Sequence, residues 1–126
     1  MRTLLVLIAL SLMTPFTFAR EQSVLHCFYF TPVEEASDSE WDAFYEATDT
    51  LQKKIKGLER VWVGKLTERA AVSQQVKLGR TYGACMEFTD EAALKAYATD
   101  PGHEEWIRAY EKVRKPGTTT FDIVGQ

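Results

Sequence analysis

The chain has 126 residues, enough for one domain at most. Its 15 Lys and Arg against 18 Asp and Glu leave a net charge of −3 with no basic stripe, which excludes a nucleic-acid or anionic-membrane surface. The core of so short a chain is modest, and burial against a second copy would add to it.

Residues 1–19 read as a secretory signal peptide. Arg2 supplies the positive start, Leu4 to Met13 is an apolar run too short to span a membrane, and Thr17-Phe18-Ala19 offers small residues for cleavage after Ala19. Residues 20–126 are then the mature domain, secreted or periplasmic, with no membrane attachment once the leader is gone.

Residues 24–30, VLHCFYF, are β-branched and aromatic and predict a strand. Its alternate faces are Val24, His26, Phe28, Phe30 and Leu25, Cys27, Tyr29. Both are mostly apolar, so both must be covered. A helix follows. Ser37 and Glu40 have capping-box spacing, and Trp41, Phe44, Tyr45, Thr48, Leu51 and Ile55 recur on one stripe. Lys53, Lys54 and Lys56 suit its negative end, and Gly57 suits its stop.

RVWVGKL, residues 60–66, predicts a second strand; Thr67 to Leu78 reads as a loop; RTYGACMEF, residues 80–88, predicts a third strand. Thr89-Asp90-Glu91 opens a short helix carrying Ala93, Leu94 and Tyr97. Pro101-Gly102 interrupts it, because proline has no amide donor and disfavours helical geometry at Asp100. Trp106, Ile107, Tyr110 and Val113 mark one face of a third helix, Pro116-Gly117 ends it, and Thr118 to Val124 form the last strand.

The order β-α-β-β-α-α-β is the split βαβ, ferredoxin-like α+β arrangement, a four-stranded antiparallel sheet with its helices on one face. The other sheet face is expected to carry Phe28, Phe30 and Met86, with His26 also pointing that way. Each large side chain left in water forfeits about 1.5–3 kcal/mol, so two such sheets packed face to face predict a homodimeric α/β barrel. Cys27 and Cys85 are the cysteines. An exported protein permits a bridge between them, but each sits in a strand-like run where a free thiol acts as a small hydrophobe, and the reading leans to unpaired cysteines.

These residues resemble the stress-responsive A/B barrel (Dabb) family from Val24 to Val124. The resemblance rests on Leu25-His26-Cys27-Phe28, Ile55-Lys56-Gly57-Leu58, Val63-Gly64-Lys65, Glu87-Phe88-Thr89-Asp90-Glu91-Ala92 and, most tellingly, Tyr97…Pro101-Gly102-His103. It implies a dimeric α/β barrel whose activity is unassigned in most members. By similarity to the plant olivetolic acid cyclase, Tyr97 and His103 match a catalytic pair. His26 matches a pocket histidine, and Phe28, Phe30, Phe44 and Tyr45 fall along the pocket wall; Met86 joins them as a candidate ligand contact. Thr48 replaces a second pocket tyrosine, and Asp100 the usual histidine before the proline.

A histidine near pKa 6.5 can take a proton alpha to a carbonyl, and a tyrosine hydroxyl can orient it or donate to the enolate. The plainer reading makes His103 a helix-opening or ligand-contact residue and Tyr97 a packing ring. Nothing in the spacing of His26 and His103 requires a metal, and no cofactor is called for. Three functions follow: a dimer binding a small apolar molecule in the barrel cavity, a cyclase- or lyase-type enzyme, and a structural stress-type dimer whose barrel is filled by its own side chains.

Overall fold

The first predicted strand forms as β1 (Val24–Phe30) and lies inside a four-stranded antiparallel sheet. The computed structural model describes residues 22–69 and 72–125, so the segment 1–19 falls outside it. The remaining strands are β2 (Leu58–Lys65), β3 (Tyr82–Phe88) and β4 (Thr119–Val124), and the order across the sheet is β2-β3-β1-β4. The helices are α1 (Asp38–Lys54), α2 (Ser73–Lys77), α3 (Glu91–Tyr97) and α4 (Pro101–Val113). This is the expected ferredoxin-like α+β fold.

Local chemistry accounts for the boundaries. Ser37 Oγ accepts the Glu40 amide while the Glu40 carboxylate accepts the Ser37 amide at 2.8 Å, so α1 opens on a complete capping box. Gly57 turns the chain at φ +83°, and a Cβ there would come within 2.6 Å of Ala93 Cβ on α3. Glycine is therefore needed both for the backbone and for the close approach. The segment predicted as a loop from Thr67 to Leu78 contains α2. Ser-Gln-Gln-Val-Lys has neither a side-chain cap nor an apolar stripe to announce five helical residues.

The helices cover the sheet face that carries Phe28, Phe30, Met86 and Phe88, and this corrects the expectation. Phe28, Phe30 and Met86 are buried beneath the helices of their own chain, packed with Phe44, Trp106 and Tyr110. His26, on the same face of β1, meets Tyr97 of α3. The open face instead presents Tyr29 against Phe121 at 5.6 Å, with Trp62 49 % and Ile123 50 % exposed. Both faces of β1 are apolar, so its pattern could not say which one the helices would take.

The cysteines are a second correction. Cys27 and Cys85 stand directly opposite each other across β1 and β3, and they form a disulfide on the open face. Register alone brings them together, since 58 residues separate them in sequence.

Thr48, buried on α1, joins the two long helices. The Trp106 indole N–H donates to its hydroxyl at 2.9 Å, and the hydroxyl donates to the Phe44 carbonyl at 2.8 Å. In Thr48→Val the volume is kept while the indole N–H is left buried without its acceptor. A loss of about 1–3 kcal/mol is expected from urea unfolding. A loss below about 0.5 kcal/mol would mean the indole finds another acceptor.

Candidate functional site

The helix break does more than end α3. Asp100 caps α4, its Oδ1 accepting the Gly102 amide at 2.7 Å, and Pro101 occupies the first helical position, where no amide is needed. Gly102 keeps the first turn close to α1: a Cβ there would sit 3.2 Å from Ile55 Cδ1. His103 follows one residue later. The break thereby stacks the His103 ring on Tyr97 with centroids 4.0 Å apart and planes tilted by 33°. The contact is ring against ring, and the Tyr97 hydroxyl has no hydrogen bond among the described residues.

His26 approaches the same tyrosine from the sheet, its ring centroid 6.4 Å from that of Tyr97. Its Nδ1 donates to Asp122 Oδ1 at 2.6 Å, because β4 pairs with β1 in the register that sets His26 opposite Asp122. The His103 Nδ1 faces the Ala98 carbonyl at 3.5 Å. Each imidazole thus has a partner for an Nδ1 proton, which leaves Nε2 as the proton-accepting nitrogen of the neutral ring. Burial pushes the His103 pKa below its ordinary value, with the neighbouring His26 acting in the same direction. Burial also raises the Tyr97 phenol well above its usual range. At neutral pH the pair is therefore an uncharged base beside a protonated phenol.

These three residues stand at the junction of two cavities between sheet and helices. The larger, about 490 Å³, adds apolar walls from Val24, Leu94, Ala98 and Val124, with Glu91, Lys95 and Asp122 supplying charge. The smaller, about 180 Å³, continues past the same residues to Phe28, Trp106, Tyr110 and Arg114. A separate groove of about 240 Å³ between α1 and α4 contains no histidine or tyrosine.

The residues read from the sequence divide accordingly. His26, Tyr97 and His103 come together, and Phe28 lines the smaller cavity. Phe30, Phe44 and Met86 are fully buried core residues that line neither cavity. Tyr45, 38 % exposed, stacks on Trp41 along the outer part of α1. The residues that sequence reasoning missed are Asp122, Val24, Leu94, Val124 and Arg114. Asp122 was reachable only through the β1/β4 register.

The description "Stress responsive A/B Barrel Domain" matches residues 24–124. The chain belongs to the Dabb family. No curated protein matches it in sequence. Several solved structures share the Dabb fold. A dimeric ferredoxin-like protein of unknown function from Jannaschia sp. CCS1 is 23 % identical, with a TM-score of 0.65, covering 80 % of this chain and 97 % of its own. A Dabb family protein with a ferredoxin-like fold from Mesorhizobium loti is 20 % identical, TM-score 0.64, covering 84 % and 99 %. The hydroxynitrile lyase of Passiflora edulis is 15 % identical, TM-score 0.68, covering 85 % and 95 %. At these identities the likeness is one of fold, and it spans proteins of unknown function as well as an enzyme.

Proposed function

We propose that this Dabb protein is an exported homodimer that binds a small, largely apolar molecule between its sheet and helices. One observation carries the reading: the cavity of about 490 Å³ has Val24, Leu94 and Val124 for walls, with His26, Tyr97 and His103 converging on it. This cavity lies between the sheet and helices of one chain, and not between two sheets, where the barrel reading expected it. Dimerisation is supported by the apolar open sheet face, where Trp62 and Ile123 are half exposed, and by the dimeric descriptions of fold neighbours. Export is supported by the signal-like leader and by the Cys27–Cys85 disulfide, a bond that persists in oxidising compartments.

Native mass spectrometry of protein purified from its own source tests all three parts together. The expected species is twice the mass of a disulfide-bonded chain beginning at Arg20, with a small molecule released on activation. A monomer at micromolar concentration removes the dimer, an intact leader removes the export route, and an empty cavity under every gentle condition removes the ligand.

A second reading, a proton-transferring enzyme of the cyclase or lyase type, is favoured by the neutral His103 base stacked on a protonated Tyr97. The His26–Asp122 hydrogen bond supplies a second oriented imidazole on the same cavity. Activity that survives His103→Ala unchanged excludes His103 as its base.

A further inference from the structure

Arg114, at the C-terminal end of α4, turns its guanidinium toward the smaller cavity and keeps only 22 % of its side chain exposed. Few of its donors are used. Nη1 donates to Thr118 Oγ1 at 3.1 Å, and the guanidinium carbon lies 4.7 Å over the Tyr110 ring. The Glu111 carboxylate stays 3.8 Å from Nη2, beyond hydrogen-bond length, and is 59 % exposed. Nε is buried with no partner among the described residues. A buried N–H of a charged group left unpaired is costly, and the planar fork of an arginine fits the two oxygens of a carboxylate.

The surroundings suit an anion. Thr118 and Thr120 line the same cavity, and the Tyr110 hydroxyl lies 3.4 Å from Thr118 Oγ1. Burial pushes the Tyr110 pKa up to about 12, so this ring adds no negative charge. His26 and His103 close the far side, and the Asp122 carboxylate is engaged by His26. Beyond the shared residues His26, Tyr97 and His103, Val24, Leu94, Ala98 and Val124 offer apolar wall alongside the charged Glu91, Lys95 and Asp122.

We propose that the smaller cavity binds the carboxylate of an amphipathic monocarboxylic acid through Arg114 and the threonine hydroxyls, while the acid's hydrocarbon chain occupies the larger cavity. This rests on the ligand-binding reading above and specifies its chemistry. It leads the acid's hydrocarbon chain from Arg114 past Tyr110 and Phe28 toward the two histidines.

Octanoate and 1-octanol, titrated into the disulfide-bonded protein by calorimetry, test it. Octanoate is expected to bind at least about tenfold more tightly, the usual gain from a hydrogen bond to a charged group. Arg114→Gln should reduce octanoate to the octanol level and leave octanol unchanged. The Arg114 Nε–H signal in a proton–nitrogen correlation spectrum should move with octanoate and not with octanol, a readout that needs no folded variant. Equal affinity for the two probes, or an unmoved Arg114 signal, overturns the carboxylate site and leaves the apolar cavity standing. Binding of neither probe overturns both.

Discussion

Cys27→Ala/Cys85→Ala is expected to lower stability by about 4 kcal/mol, because the bridge closes a long loop in the unfolded chain. The cysteines are 58 residues apart, and between them lie α1, β2, α2 and the first three residues of β3. Without the bond, the unfolded ensemble regains the freedom of that entire span. Single domains are stable by only about 5–15 kcal/mol, so the loss is a large share of the total. The melting temperature should fall by about 15–25 °C. Cys27 is buried, so alanine rather than serine is the replacement that adds no polar group to the site. Thermal unfolding of the double variant beside wild type with and without a reductant measures the effect. A difference below about 1 kcal/mol would show that the bond constrains the unfolded chain far less than its loop length implies.

Phe44→Ala should cost about 3–5 kcal/mol, the range for emptying a large aromatic site in a packed core. Phe44 has no exposed surface and meets Phe30 at 6.3 Å, Trp106 at 5.9 Å and Tyr110 at 5.7 Å between ring centroids. It joins α1 to α4 and to the sheet at one point, so neighbours on three elements lose contacts together. The same substitution separates its two readings. As a cavity wall, Phe44 would change ligand affinity with modest destabilisation. As core, which is where the structure has it, the penalty falls on unfolding. Urea unfolding with a loss under about 1.5 kcal/mol would contradict the packing role.

Phe44 also illustrates what could be read in advance. Its place on the buried stripe of α1 followed from spacing, as did the Ser37–Glu40 capping box and the helix break at Pro101. These are local signals, carried by residues within one or two turns of each other. What escaped depended on register. Val24, His26, Phe28 and Phe30 are no more apolar than Leu25, Cys27 and Tyr29, so alternation offered no contrast between the faces of β1. His26 opposite Asp122 and Cys27 opposite Cys85 are pairings between distant strands, with no mark in the local sequence. Tyr97 and His103 were legible as a pair, but their stacked rings, in place of a hydroxyl-to-imidazole bond, are a tertiary outcome.

The disulfide also decides where the sheet can breathe. It clamps β1 to β3, so the inner seam of the sheet resists separation by covalent means. β4 has hydrogen-bonded strand contact on one side only, along β1, and its residues from Thr120 to Val124 are exposed. In the single chain, low-energy opening concentrates where burial is thin and backbone bonds face solvent, which here is that edge. Asp122 and Val124 belong to it, so fraying of β4 unlatches His26 and removes one wall of the larger cavity while the aromatic core stays shut.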